Sequence, residues 1–160
     1  MIPQKLKPYF KKSFQKEDRD VKLIGGDICC CSSNQFEIKF SGEVKRGLFS
    51  KAYLYAVDNE IAVEACCEKC KKVISVFNSC EEGYDSRKGP FTNSKFNIFS
   101  CRKCNGESFS MSIKYEYPSE KELDDLGISK KDKTFTWIWV DLVCNECGTR
   151  YNKFVDFETA

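Results

Sequence analysis

Cys101-Arg102-Lys103-Cys104 and Cys144-Asn145-Glu146-Cys147 decide the reading of this chain, because each CxxC pair sits between strand-like segments. After the first pair, Phe109, Met111, Ile113, Tyr115 and Tyr117 alternate with polar residues, the period of a half-buried strand. Before the second pair, residues 134–143 place Trp137 and Trp139 on one strand face and Ile138, Val140 and Leu142 on the other. A strand apolar on both faces belongs in the middle of a sheet. Gly148 supplies a closing turn, and Tyr151 to Phe157 returns as the last strand. Between these strands, Pro118–Lys133 carries a helix signal. Ser119 and Glu122 form a capping box, Leu123 and Leu126 share a face, and Gly127 follows as a C′ residue.

A CxxC turn puts two sulfurs on one side of a tight loop and so supplies half of a tetrahedral thiolate site; two such turns are needed for a structural Zn²⁺. Cys104 and Cys144 are separated by 39 intervening residues, whose strands and helix can carry the chain out and back. Cys101, Cys104, Cys144 and Cys147 are therefore the first candidate zinc ligands. A third pair, Cys67-Glu68-Lys69-Cys70, lies 30 residues before Cys101. It either completes a second zinc site with Cys29 and Cys31 of the 29–31 run, or joins Cys101 and Cys104, or leaves a single site and several buried thiols. Continued strand alternation puts Cys29 and Cys31 on one face and Cys30 on the other. Each pair leads into strand-like sequence, so the helix N-terminus of a thioredoxin-type redox motif is missing.

Residues 1–20 read as a basic leader. Phe10 and Phe14, four residues apart, predict a short amphipathic helix over 9–18. Residues 21–160 read as one β-rich domain in two halves, 21–77 and 96–160, joined by a loop at 78–95 rich in Gly, Ser, Asn and Pro. In the first half, residues 21–31 and 36–40 predict one hairpin, and Ala52–Val57 with Ile61–Cys66 predict another around Asp58-Asn59. Val73 to Phe77 is the outgoing strand. The fold class is mainly β, antiparallel, with CxxC knuckles and one or two short helices.

Composition excludes much. There are 11 Cys and no His, so Ser-His-Asp triads, Cys-His dyads and His-containing metal sites are out. An odd cysteine count with six residues in CxxC pairs suits thiolate ligation in a reducing compartment, and the expected location is cytoplasmic. The 13 Phe and 7 Tyr against 2 Met favour strands. The 26 basic and 24 acidic residues give a net charge of +2 and no global pull toward polyanions. Met1 to Lys22 lacks the apolar core of a signal peptide, and no apolar run is long enough for a membrane helix.

Residues 96–157, with Cys101-x-x-Cys104 and Cys144-x-x-Cys147 flanked by strands, resemble a zinc ribbon in the general sense. The resemblance implies a closed structural site holding one zinc ion, or two if the third pair takes part. The expected function is that of a non-enzymatic zinc-stabilised protein that binds another protein, as an immunity- or antitoxin-like molecule or a regulatory adaptor would. The alternative is a nucleic-acid-binding ribbon using Lys11, Lys12, Lys69, Lys71 and Lys72, with Tyr115 and Tyr117 as stacking platforms. Asp124 and Asp125, adjacent on the helix, point apart and make no acid–base pair.

Overall fold

A computed structural model describes the chain except for Arg19, Ser50, Arg87, Lys88, Asn93 and Ser94 and the side chain of Lys12. It is mainly antiparallel β. The strands are β1 (Phe10–Asp18), β2 (Val21–Ile28), β3 (Phe36–Ser41), β4 (Glu43–Arg46), β5 (Ala52–Tyr55), β6 (Ala62–Cys67), β7 (Val73–Asn78), β8 (Asn97–Ile98), β9 (Phe109–Pro118), β10 (Trp137–Cys144) and β11 (Arg150–Glu158). One helix, α1 (Glu120–Asp125), follows β9. Ser119 caps it by accepting the Glu122 N–H, and Gly127 ends it at φ +66°.

β9 is the axis. Along one edge it pairs with β10, which pairs in turn with β11. Along the other it pairs first with β3, through Phe36 and Phe109 alone, and then with β2, which carries β1. β3 continues into β6 and β7 and takes the short β8 beside it. The result is one nine-stranded antiparallel network that divides into two sheets, β1-β2-β9-β10-β11 and β8-β3-β6-β7, joined at the Phe36–Phe109 seam, with β4 and β5 as a separate two-stranded sheet. Both phenylalanines are fully buried. From the seam the sheets face one another across a single hydrophobic cluster. Phe77 of β7 packs on Phe135 and Phe157, and Phe99 packs on Phe154 at 4.6 Å between centroids.

Several expectations are corrected. Residues 10–18 form an edge strand and not a helix. Phe10 pairs with Ile28 and Phe14 with Gly25, and a bulge between them sends the two rings to opposite faces. Gly25 and Gly26 make that possible: a Cβ at Gly25 would lie 2.9 Å from the Phe14 ring, and one at Gly26 would lie 3.0 Å from the Lys11 carbonyl. Lysines on an edge strand also discourage pairing with other chains. β2 pairs with β1 and β9, not with β3. The Val57–Glu60 turn is present, with Asp58 and Asn59 at positive φ. The strand before it, β5, nevertheless pairs with β4, leaving β6 to β3 and β7. Residues 78–95 hold no helix or strand among the described residues, and Asn93 of that stretch lies outside them. Among the described residues no helix is long and apolar enough to cross a membrane.

Candidate metal centres

Three knuckles share one backbone plan. The N–H four residues after the first cysteine bonds back to that cysteine's carbonyl: Lys71 to Cys67, Asn105 to Cys101, Gly148 to Cys144. The first cysteine's own N–H bonds to the carbonyl one residue further on, at Lys72, Gly106 and Thr149. Lys71, Asn105 and Gly148 take left-handed φ values of 63°, 60° and 74°, which turn the chain back into the outgoing segment. Glycine satisfies this only in the third knuckle; the others use Asn and Lys.

The knuckles and one further turn gather the sulfurs into two groups of four, each within a 4.8 Å span, positioned to bind a metal ion. Cys101, Cys104, Cys144 and Cys147 form one group. Cys101 lies 3.6 Å from Cys147, and Cys104 lies 3.5 Å from Cys144. Cys30, Cys31, Cys67 and Cys70 form the other, with Cys30 3.6 Å from Cys70 and Cys31 3.5 Å from Cys67. Four thiolates around one tetrahedral ion at about 2.3 Å stand about 3.8 Å apart, so both groups fit such an ion with minor adjustment.

The second group corrects the ligand set expected from alternation, with Cys30 in the place of Cys29. β2 ends at Ile28, and Cys30 and Ser33 exchange both backbone hydrogen bonds around Cys31 and Ser32, at φ 44° and 63°. This two-residue turn rotates adjacent cysteines onto one target, which an extended strand cannot do. The polar run from Ser32 to Gln35 reads as a turn, but the turn begins one residue earlier, at Cys31, and that shift is what brings Cys30 into the group. Cys29 and Cys66 are half-buried and Cys80 is buried; none belongs to either group.

The surroundings differ. Around Cys101, the Tyr151 hydroxyl accepts the Arg102 N–H at 2.8 Å and donates to the Cys101 sulfur at 3.2 Å. The Thr149 hydroxyl donates to Cys147 at 3.0 Å, and the Gly106 N–H points to Cys104 at 3.4 Å. Asn145 locks its knuckle to β9 through Ser108 and Ser110. Beside the Cys30 group, the Lys69 Nζ lies 3.4 Å from the Cys31 carbonyl, and the Lys72 ammonium lies near enough to interact with Cys30 and Cys70.

The thiols split accordingly. Burial, with hydrogen bonds to Cys70 and Cys67, pushes Cys30 up to about 12, and the same causes push Cys31 to about 11. The backbone N–H of Lys72 brings Cys70 down to about 7. Burial works against the Cys101 thiolate, but the Tyr151 hydroxyl and the backbone of Cys104 and Lys103 outweigh it and bring that thiol to about 6. Cys104 receives the Gly106 N–H, yet burial and the neighbouring sulfurs carry it up to about 12. Thr149 holds Cys147 below its ordinary value. Four like groups in so small a volume cannot all ionise unaided, whereas a divalent cation among them removes the conflict.

Three of the basic residues of the nucleic-acid reading, Lys69, Lys71 and Lys72, lie on or just after the Cys67–Cys70 knuckle. Lys11 is on the β1 edge and the Lys12 side chain lies outside the described residues. Lys69 is tied to the Cys31 carbonyl, and Lys72 lies over the Tyr9 ring at 5.2 Å. Lys71 is exposed, in the left-handed position of its knuckle. Tyr115 and Tyr117 are buried in the core, so neither is a stacking platform. Asp124 pairs with Lys131. No protein-family model, curated protein or solved structure matches the chain.

Proposed function

We propose that this chain is a non-enzymatic protein-binding module whose two sheets are held together by two structural zinc ions. All-sulfur quartets built on CxxC knuckles favour zinc, which imposes no redox chemistry and accepts four thiolates in a closed shell. The observation that carries the binding role is the tip of the β4–β5 hairpin. Leu48 and Phe49 are 79% and 93% exposed, and Arg46 and Lys51, also exposed, flank them. Two large apolar side chains held out on a short hairpin suit insertion into an apolar pocket with an acidic rim on a partner. Each is worth about 1.5–3 kcal/mol when buried.

The test compares the wild type with a Leu48→Ser/Phe49→Ser double variant in affinity capture. The variant should keep its zinc and its melting temperature, since neither side chain supports the core, and lose the protein partner by about a hundredfold in affinity. Unchanged capture by the variant would remove the hairpin from the reading. Captured material that disappears on nuclease treatment would replace protein by nucleic acid as the partner.

A further inference from the structure

We infer that the two metal centres are unequal, and that the Cys101/Cys104/Cys144/Cys147 centre is the exchangeable one because of Glu146; this rests on the zinc reading above. In two of the three knuckles the third residue reaches across to the opposite arm of its own centre. In the Cys67–Cys70 knuckle that residue is Lys69, with its ammonium 3.4 Å from the Cys31 carbonyl. In the Cys144–Cys147 knuckle it is Glu146, with Oε2 3.8 Å from the Cys104 sulfur. The positions correspond and the charges are opposite.

Zinc bound by four thiolates carries a formal charge of −2. A cation held against one arm favours that state, and a carboxylate held against one arm disfavours it. Glu146 makes no ion pair among the described residues that would cancel its charge. Arg102 and Lys103 on the facing knuckle are exposed, and among the described residues their side chains engage no partner there. Cys104 itself is exposed, so the arm under repulsion is also open to solvent.

The space for the carboxylate is built in. Gly106 is buried, and its φ lies outside the left-handed region, so the backbone does not demand glycine there. A Cβ at Gly106 would lie 2.1 Å from Glu146 Oε2 and 2.6 Å from Cδ. Glycine at this position leaves the carboxylate beside Cys104. The Cys30/Cys31/Cys67/Cys70 centre keeps its ion, while the Cys101/Cys104/Cys144/Cys147 centre gives up and takes back zinc as supply changes. Metal at the latter joins the β8–β9 turn to the β10–β11 turn, so its occupancy alters that end of the molecule.

The experiment uses the full, zinc-loaded chain. Excess 4-(2-pyridylazo)resorcinol is added and zinc transfer is followed by absorbance. Two phases of one zinc each are expected. Glu146→Lys should slow only the fast phase, by about fivefold or more, and Glu146→Gln should slow it less. Lys69→Glu should speed only the slow phase. In the ¹¹³Cd-loaded protein, the resonance lost first to chelator should be the one that shifts in Glu146→Lys. A single phase releasing both ions, or a fast phase indifferent to Glu146, would overturn the inference and leave two structural zincs standing. A chain that takes up no zinc when reconstituted with an excess of the ion would remove the zinc reading, and the inference with it.

Discussion

Tyr151→Phe removes a single oxygen and separates metal ligation from packing. The ring stays where it is, edge-on to Phe99 at 5.1 Å and 88° and near Phe109 at 6.2 Å, in a site 1% exposed. The lost hydroxyl has two duties. It accepts the Arg102 N–H at 2.8 Å, and it donates to the Cys101 sulfur at 3.2 Å. Burial raises the Tyr151 phenol above its ordinary value, so it remains a donor at neutral pH. An orphaned N–H costs about 1–3 kcal/mol, and a hydrogen bond to a charged acceptor is worth about 1.5–3 kcal/mol. Both run through one oxygen, so they do not add fully, and about 3 kcal/mol is expected in the metal-loaded protein. For a domain of this size that lowers the melting temperature by about 6–12 °C. Without metal the Cys101 acceptor is no longer held as a thiolate, and the penalty should fall toward about 1 kcal/mol, the N–H alone. Thermal unfolding by near-ultraviolet circular dichroism, in excess zinc and in chelator, measures both. A shift below 2 °C in zinc, or equal shifts in the two conditions, would refute the idea that the hydroxyl acts on a bound thiolate.

Three further outcomes are expected. Cys30→Ser should lower the zinc content from two ions per chain to one and Cys29→Ser should leave it at two, by native mass spectrometry; the reverse would restore the extended-strand ligand set. Gly25→Ala, whose Cβ would meet the Ile113 carbonyl at 2.8 Å as well as the Phe14 ring, should cost about 1–3 kcal/mol in urea unfolding, and a neutral result would mean that β1 does not pack on β2. Glu82 is buried, which raises its carboxyl above the ordinary range, while Lys5 only partly offsets this. A carboxyl raised on folding contributes stability below its unfolded value and loses it as pH rises through the folded one. Glu82→Gln should therefore gain on the wild type between pH 5 and 8 in melting temperature, and a difference that shrinks with pH would be the wrong sign.

What the sequence shows and hides follows from the range of each signal. The alternation over Phe109–Tyr117, the Ser119 cap and the two-faced strand read at 134–143 are local patterns, and they became β9, α1 and β10, the last beginning only at Trp137. Strand partners are not local. β2 reads as the first arm of a hairpin because the next strand follows closely, yet it pairs with β9, about ninety residues on. β4 carries only Val44 as an apolar residue and shows no period at all. Gly25-Gly26 reads as punctuation, while its physical use is to receive a bulged neighbour. The cysteine quartets divide the same way. Cys101, Cys104, Cys144 and Cys147 were legible because CxxC is a complete local unit. Cys30 was hidden because its orientation depends on where β2 stops.

The register places the two centres at one seam. Cys67 pairs with Phe36, Phe36 with Phe109, and Phe109 with Cys144, a single row across β6, β3, β9 and β10. Three strand spacings of about 4.8 Å put the row's two cysteines about 14 Å apart, on either side of the one pair that joins the sheets. Each quartet spans that junction. Cys30 and Cys31 follow β2 of one sheet, whereas Cys67 and Cys70 link β6 to β7 of the other. Cys101 and Cys104 link β8 to β9, and Cys144 and Cys147 link β10 to β11. A seam of one backbone pair is weak against the divergence of two twisted sheets, and a metal bound at each end of the row would close it. Chelation should therefore open the molecule at Phe36 and Phe109 before it unravels any hairpin. Hydrogen exchange would show this as early loss of protection at residues 36 and 109, with β10–β11 still protected. Uniform loss across both sheets would mean that the ions support the strands themselves and not the junction.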